Sequence, residues 1–502
     1  MRRQALVILG GSHDQIFLLR TAGEMGLDTI VFDGNPVAPG LRLATHGAPI
    51  DFSRVDQVVE HLDGLRARGV EAAGVTTMGS DVPHLLTAIG ERFGWAVPSR
   101  ETSRLATDKL EMKRRFEERG VPVPAFAPVG SAEDVRRRWD EWACRRIVVK
   151  PTDRAGARGV RILDRRDQVE DAFRYALTSS NRGSVLVEEY VEGPQVSTES
   201  ILYDGRAATP GFADRVYEGM ESFRPQVMEN GGWFPSHLDR VARAKVIDTV
   251  ERAARALGVE RGVAKGDVVV HPDRGTVVIE MAARLSGGDF SEGLVPLGCG
   301  VNYVSAVVEI ALGREPAWER LEPRWEQVVV NRYFFGPPGT LESTDGIDEV
   351  RSWPGVKKLE VWVRPGDVIP EIRNHGQRLG VLVAVGASRA EVADLVAAAY
   401  ERIRFHIDGR GVSGCPEGFL GHGNASTTAT TTTTTTASTN TTASTTATAT
   451  TSASTSASTT ATTFTSASIE HAGEVVLEVG GFAVLDCREC GFKHLEPRPS
   501  TE

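Results

Sequence analysis

The sequence has few cysteines and no long apolar run. Its 502 residues include five cysteines, which are Cys144, Cys299, Cys415, Cys487 and Cys490. An odd, scattered set argues against a disulfide framework and fits a reducing compartment. No apolar stretch approaches the roughly 20 residues that a membrane-spanning helix needs. The short apolar run at 5–9 meets Gly10-Gly11, which predicts a strand and a turn and not a secretion signal. We therefore expect a cytoplasmic protein with no membrane partner.

Basic residues are also fewer than acidic ones. The chain has 57 Lys and Arg against 67 Asp and Glu, a formal net charge of -10. This balance predicts no large basic surface, so it argues against nucleic acid as a partner and favours small molecules. The length allows roughly three domains of about 150 residues each.

Strand and helix patterns alternate through the first hundred residues. Apolar strand patterns lie at 5–9, 29–32 and 73–77, and helical patterns lie at about 14–25 and 55–68. This alternation predicts βαβ units and a parallel sheet. Gly10-Gly11 stands at the first strand-to-helix turn, where backbone N–H groups either meet a ligand or simply form a tight turn.

Two carboxylates, an arginine and a glycine turn follow one another near residue 280. Asp267 and Glu280 lie on neighbouring predicted strands, ahead of Arg284 and Gly287-Gly288. Hard divalent cations take oxygen ligands and bridge carboxylates to nucleotide phosphates, and an arginine can face the negative charge beside them. The pattern indicates a metal and phosphate site. The alternative is a surface hairpin built around the 271–275 turn.

Two lysines precede this pair along the chain. Lys109 lies near the start of a helix predicted between Ser103 and Gly120, and Lys150 ends a predicted strand. The following segment, with Gly156 and Gly159, could close over phosphates with its backbone N–H groups. Solvated charges and a plain hairpin turn are the alternatives.

An apolar strand then runs into an acidic segment at 185–195. Acceptors at the end of a buried strand, such as Glu188, could bind an adenine amino group and a ribose hydroxyl. An ordinary strand with solvated glutamates is the other interpretation of the same pattern.

In this order and spacing, the motifs resemble the ATP-grasp superfamily, which includes biotin carboxylase, carbamoyl phosphate synthetase, D-alanine-D-alanine ligase and the amino-acid ligases. The resemblance covers about residues 1–410. It implies a mixed α/β and α+β architecture, with an N-terminal parallel-sheet domain at 1–100, an ATP-grasp fold at 101–312 and a small closing lobe at 313–415.

The resemblance also implies roles for individual positions. The ATP contacts would be Lys109 and Lys150 on the phosphates, Gly156 and Gly159 in the loop over them, Glu188 and Val191 at the adenine, and Gln195 at the ribose. Asp267 and Glu280 would bind Mg²⁺ or Mn²⁺, and Arg284 would stabilise the transferred phosphoryl group. Two positions depart from many relatives, because Gln195 replaces a Glu and Ala282 replaces an Asn that adds a metal ligand. Water can complete Mg²⁺ coordination, so catalysis remains the expectation.

The implied function is an ATP- and Mg²⁺-dependent ligase that activates a carboxylate as an acyl phosphate for attack by an amine or similar nucleophile. One alternative is phosphorylation of bicarbonate or carbamate. Another is a nucleotide-binding module with weak catalysis, for which Ala282 is the evidence. Glu229 and the 230–235 segment either receive the substrate or form a surface loop. The substrate stays open, and so does the oligomeric state, a homodimer included.

The chain after residue 423 has a different composition. Residues 424–468 are almost wholly Thr, Ser and Ala, which predicts a disordered linker because little apolar surface offsets the entropy of ordering. Residues 469–502, with Cys487 and Cys490, resemble the opening of SAM-dependent methyltransferases that begin with a small Cys-containing module. Two thiolates are fewer than the four ligands of tetrahedral zinc.

Overall fold

The computed structural model describes residues 4–217, 219–416, 473–479, 482–487 and 493–497. The chain separates into two compact units, Met1–Thr427 and Thr428–Glu502, and each is described by itself. The linker predicted at 424–468 lies outside the described residues.

The first unit contains β-strands from residue 4 to residue 412. They are β1 (Gln4–Leu9), β2 (Asp28–Phe32), β3 (His46–Ala48), β4 (Glu71–Thr76), β5 (Phe126–Val129), β6 (Ile147–Pro151), β7 (Arg161–Leu163), β8 (Val185–Glu189), β9 (Gln195–Tyr203), β10 (Arg206–Arg215), β11 (Gly232–Phe234), β12 (Arg261–His271), β13 (Gly275–Ala282), β14 (Val328–Phe334), β15 (Gly339–Asp345), β16 (Val356–Val361), β17 (Val368–Ile369), β18 (Gly380–Gly386), β19 (Arg404–Ile407) and β20 (Arg410–Val412).

Helices connect these strands. They are α1 (His13–Glu24), α2 (Pro39–Leu43), α3 (Val55–Ala67), α4 (Pro83–Phe93), α5 (Arg100–Thr107), α6 (Lys109–Glu118), α7 (Ala132–Trp142), α8 (Val169–Ser179), α9 (Arg240–Ala256), α10 (Val295–Cys299), α11 (Val304–Ala311), α12 (Ile347–Arg351) and α13 (Arg389–Arg402).

The N-terminal sheet has the strand order β3-β2-β1-β4, and its strands are parallel. The predicted parallel sheet is therefore confirmed. Residues 5–9 of β1 are fully buried, as expected for a strand covered on both faces by helices. At the turn after β1, the Gly11 N–H donates to Asp33 Oδ2 at 2.7 Å, so an internal carboxylate already occupies this donor.

The largest sheet has the order β13-β12-β9-β10-β11-β14-β18-β16. It joins the middle of the chain to its later part because β11 pairs antiparallel with β14. The sheet thus continues across residue 312, where the sequence predicts the start of the closing lobe. Two four-stranded sheets, β5-β8-β6-β7 and β17-β15-β19-β20, complete the unit. The predicted ATP-grasp architecture agrees with this arrangement, while the domain bounds at 100, 312 and 415 stay predictions.

The prediction of one helix between Ser103 and Gly120 is wrong, because the structure has two helices that meet at Asp108. Asp108 has an extended backbone, and its carboxylate accepts from the N–H groups of Leu110 and Glu111. A short acidic side chain competes in this way with helix continuation and begins a new helix. As a result Lys109 is the first residue of α6, and its N–H donates to Thr152 O at 2.9 Å.

The second unit is described at three strands, β21 (Gly473–Val479), β22 (Phe482–Cys487) and β23 (Lys493–Pro497). They form an antiparallel sheet in that order. Cys490, and with it the predicted thiolate pair, lies outside the described residues. Among the residues that are described, no helix has the length and apolarity to cross a membrane.

The Asp108 cap predicts the effect of two substitutions. We expect Asp108→Ala to destabilise the protein by about 1 kcal/mol, because two N–H groups at the start of α6 lose their acceptor. Asp108→Asn keeps a side-chain oxygen and should lose much less. Urea unfolding of both variants measures the difference, and equal losses would show that the charge matters here and the cap does not.

Candidate functional site

A cleft of about 1450 Å³ lies within the first unit. The walls include residues from the loops and helices that follow the strands of the N-terminal sheet, from the β5-β8-β6-β7 sheet and from the eight-stranded sheet. The predicted site residues that line it are Lys109, Lys150, Gly156, Glu188, Val191, Gln195, Asp267, Glu280 and Arg284, together with Ala282. One cleft therefore collects side chains from distant parts of the sequence.

Both predicted phosphate-binding lysines are buried, and a carboxylate holds each of them. Lys109 Nζ lies 3.0 Å from Glu280 Oε1 and donates to Arg154 O at 2.7 Å. Lys150 Nζ lies 2.8 Å from Glu188 Oε1. The first ion pair connects a predicted phosphate ligand directly to a predicted metal ligand. Two buried ammonium groups thus lie at the cleft, each paired with an internal carboxylate.

Glu188 has a second lysine partner that the sequence analysis missed. Lys113 Nζ lies 3.4 Å from Glu188 Oε1 and donates to Val278 O at 3.3 Å. Burial of Glu188 favours its neutral form, but Lys113 and Lys150 outweigh that effect and lower the pKa of the carboxyl. Burial lowers the pKa of Lys113 to about 8. The spacing in the sequence could have indicated Lys113, since residues 109 and 113 share one face of a helix.

The two glycines after Lys150 have different surroundings. Gly156 has φ +65° and open space around a built Cβ position, whereas Gly159 has φ +76° and a Cβ there would lie 2.6 Å from Ser179 Cβ. Gly159 therefore allows close packing of the loop and is not among the cleft-lining residues. The Gly156 carbonyl accepts from the His375 N–H at 3.2 Å, so this loop contacts the later part of the chain.

Asp267 and Glu280 are directly opposite each other on β12 and β13. Asp267 Oδ1 accepts from Ser197 Oγ at 2.6 Å, Oδ2 accepts from Lys265, and Arg215 Nη1 forms an ion pair with Oδ2 at 2.9 Å. Burial favours the neutral acid, but Arg215 and Lys265 hold the pKa of Asp267 well below its usual range. An ionised carboxylate opposite a second carboxylate suits a hard divalent cation.

These two acids are a small ligand set. In the described parts of the chain, no group of three or more His, Cys, Asp or Glu side chains is arranged to hold a metal ion. Mg²⁺ commonly binds through one or two carboxylates together with substrate phosphates and water. The donor set therefore fits a cation that arrives with a nucleotide.

Arg284 is oriented by the N-terminal sheet domain. Its Nε donates to Asp81 Oδ1 at 2.6 Å, and its Nη1 donates to Leu285 O at 3.2 Å. Asp14, at the start of α1, accepts from the Gly288 N–H at 3.2 Å. Asp81 and Asp14 could not be found from the sequence pattern, because each lies more than 200 residues from its partner and only the fold brings them together.

A buried glutamate holds the turn that follows Arg284. Glu199 accepts from the Ser286 N–H, from Ser291 Oγ at 2.9 Å and from the Tyr303 hydroxyl. Burial raises the pKa of this carboxyl. Glu199 could not be found from the sequence pattern either, since a single acid among the serines and threonine of β9 has no distinguishing pattern.

Glu229 lines the cleft, which favours the substrate interpretation over the surface-loop alternative. Its carboxylate pairs with Arg215, and its carbonyl accepts from Arg378. Burial opposes ionisation, but Arg215 and Arg378 lower the pKa of Glu229 to about 2. The Arg378 guanidinium lies 3.6 Å from the centre of the Tyr333 ring. This wall therefore presents an ionised acid, a guanidinium and an aromatic ring.

Comparison with known proteins gives two family matches. Residues 106–288 match the ATP-grasp domain, and residues 332–408 match the L-amino acid ligase C-terminal domain 2. The first match contains all of the site residues that the sequence analysis predicted. The second begins in β14 and ends just after β19, so it falls within the predicted closing lobe.

Individual relatives agree with these matches. The chain is 27% identical over 365 residues to the uncharacterized protein y4rH of Sinorhizobium fredii, covering 72% of this chain and 73% of that protein. It is 23% identical over 332 residues to the L-arginine-specific L-amino acid ligase of Bacillus subtilis, covering 63% and 75% of the two chains.

A solved structure shows the same fold. The crystal structure of L-amino acid ligase from Bacillus licheniformis aligns with a TM-score of 0.68 and 20% identity. The alignment covers 81% of this chain and 99% of that chain.

The buried Glu188 cluster predicts a loss of stability on neutralisation. We expect Glu188→Gln to cost about 3–5 kcal/mol, because Lys113 and Lys150 would remain buried without their counter-ion. The matched control is Glu189→Gln, since Glu189 pairs with Arg274 nearer the surface and should cost less than about 1 kcal/mol.

Chemical denaturation of the two variants measures this difference. Adding Lys113→Met to Glu188→Gln should restore part of the lost stability, because one buried ammonium is then removed. Equal losses for the two single variants would contradict the assignment of Glu188 as the counter-ion of the two lysines.

Proposed function

We propose that this chain, an ATP-grasp ligase, joins the carboxylate of an amino acid to the amine of a second small molecule. The observation that carries the proposal is the opposed pair Asp267 and Glu280 in one cleft with Lys109, Lys150 and Arg284. The match to an L-amino acid ligase C-terminal domain and the similarity to the Bacillus subtilis ligase support an amino acid as the substrate.

The reaction would take place in two steps. A carboxylate oxygen of the substrate attacks the γ-phosphorus of ATP, the bond to the β,γ-bridging oxygen breaks, and ADP leaves with that electron pair. The amine nitrogen then attacks the acyl carbon, inorganic phosphate leaves, and the nitrogen loses a proton. The protein contributes mainly positioning and charge neutralisation to such transfers.

The lysines and acids would exchange partners when the nucleotide binds. Lys109 is paired with Glu280 in the structure. Phosphate oxygens would replace Glu280 as the partner of Lys109. The Glu280 carboxylate would then be free to turn toward the cleft. Asp267 and Glu280 would then hold Mg²⁺ or Mn²⁺, which would supply positive charge to neutralise the phosphates.

Arg284 would stabilise the charge on the phosphoryl group in flight and on the acyl phosphate. Its hydrogen bond to Asp81 fixes the guanidinium, so the group does not have to reorganise during the transfer. Asp81 is therefore a positioning residue in this proposal, and it connects the N-terminal sheet domain to the chemistry.

The adenine and the ribose would bind between Val191 and Gln195. Val191 is buried in a small apolar cluster with Val269 and Val277, and both Val191 and Gln195 line the cleft. Glu188 would contact the adenine from the end of β8, where its side chain also pairs with Lys113 and Lys150. The Gln195 amide would hydrogen-bond a ribose hydroxyl.

Glu229 and Arg378 would receive the amino acid. A free amino acid carries an ammonium and a carboxylate, and this wall offers an ionised acid and a guanidinium close together.

Three further points remain proposals of the same kind, namely a cytoplasmic location that supplies ATP, a homodimer, and a methyltransferase-like fragment at 469–502.

The first experiment measures Mg²⁺-dependent release of ADP and phosphate with pooled amino acids and hydroxy acids. We expect one amino-acid pool to stimulate release and Glu280→Ala to abolish the stimulation, because a metal ligand is lost. Glu401→Ala, on the exposed side of α13, removes the same charge away from the cleft and should leave release unchanged.

The other outcomes separate the rival functions. Stimulation by bicarbonate alone would favour a carboxylase-type reaction. ATP binding without turnover above the Glu280→Ala level in any pool would favour a nucleotide-binding module.

A second experiment tests the orientation of Arg284. We expect Asp81→Asn to lower kcat by about tenfold to a hundredfold with little change in the KM for ATP, because the arginine loses its fixed partner. Asp56→Asn, an exposed change on α3, is the matched control. A raised KM for ATP at unchanged kcat would place Asp81 in nucleotide binding and contradict the positioning role.

A further inference from the structure

Four side chains share one face of the β12–β13 hairpin. Asp267 is opposite Glu280, and two residues along the strands Lys265 is opposite Ala282. Side chains two residues apart on a strand point to the same face, and all four residues line the cleft. The wall that carries the two carboxylates therefore also carries one ammonium group and one methyl group.

Asp267 has little coordination capacity left. An ionised carboxylate has about four lone-pair sites. Lys265 donates to Oδ2 and Ser197 Oγ donates to Oδ1, while Arg215 Nη1 forms an ion pair with Oδ2 at 2.9 Å. About one site, on Oδ1, therefore remains for a metal ion while these partners stay in place.

The Lys265 ammonium is held beside Asp267 by the cost of separating a buried ion pair. Its side chain is 18% exposed, and the side chain of its partner Asp267 is 11% exposed. Moving the ammonium away would leave a largely buried cation without its counter-ion, which is costly. On the opposite strand the Ala282 side chain is a methyl group and offers no ligand atom to a second ion.

We infer that Lys265 serves as a resident cation beside Asp267, and that the site therefore takes one divalent ion per nucleotide and not two. Asp267 and Glu280 would hold the single ion, and the Lys265 ammonium supplies the positive charge on the Ala282 side. This inference rests on the proposed nucleotide site and adds the number of ions that the site holds.

The test counts Mn²⁺ ions on the full chain with a non-hydrolysable ATP analogue. Equilibrium dialysis gives the Mn²⁺ and the nucleotide that the protein retains, and their ratio is the number of ions per nucleotide. The wild-type protein should retain one Mn²⁺ per nucleotide. The electron paramagnetic resonance spectrum should be that of an isolated ion, without the broadening that two neighbouring Mn²⁺ ions cause.

A variant should open the second position. Lys265→Met combined with Ala282→Asn removes the ammonium and adds an oxygen ligand, so the ratio should rise from one to two and the broadened spectrum should appear. Lys245→Met, at an exposed lysine on α9, is the matched control and should keep a ratio of one. Thermal unfolding without nucleotide establishes that each variant is folded.

The outcomes distinguish this inference from the proposed function. A ratio of two in the wild-type protein, or a ratio of one in the folded double variant, would overturn the role of Lys265 and leave the ligase proposal standing. Absence of retained nucleotide in the wild-type protein would overturn the nucleotide site and this inference together.

Discussion

The cleft depends on the pairing of buried charges. Burying an ammonium or a carboxylate costs several kcal/mol unless an opposite charge and hydrogen bonds compensate it. Here Lys109 is paired with Glu280, Lys150 with Glu188, and Arg215 and Lys265 with Asp267. Each of these cations could bind phosphate or neighbour a metal ion, and each already has a protein anion. The strands that carry the anions must therefore keep their positions for the cations to remain buried.

This pairing prepares the cleft for a highly charged ligand. Buried cations without counter-ions would repel one another. Cations that are already paired with carboxylates need only exchange a carboxylate for an anion of the ligand. The exchange that the structure favours is at Lys109, because the Glu280 side chain is 31% exposed while that of Glu188 is 2% exposed. Glu280 is thus the anion that can turn toward a cation, and Glu188 is the one that stays with its lysines.

The sequence predicted the fold class and several strands and helices well, since these depend on local patterns, while the roles of the motif residues stay predictions. The alternating strands and helices at the N-terminus, the hairpin that carries Asp267 and Glu280, and the strand before Lys150 all have strong apolar periodicity. What it missed are contacts that only the fold creates, such as Asp81 on Arg284 and Glu199 on the turn after Arg284. The helix break at Asp108 was missed for a different reason, because a capping aspartate inside a helical pattern looks like one more solvated charge.

The Lys113 contacts explain how Lys109 could exchange Glu280 for a phosphate while the walls of the cleft keep their positions. Two different sheets form the cleft walls that carry these charges. Lys150 and Glu188 lie on the β5-β8-β6-β7 sheet, and Asp267 and Glu280 lie on the eight-stranded sheet. Helix α6 bridges them, because Lys113 contacts Glu188 on β8 and Val278 O on β13. Lys113 does not line the cleft, so a ligand there has no direct access to it. In the proposed function, Lys109, one turn earlier on α6, would leave Glu280 for a phosphate while Lys113 continues to contact both sheets.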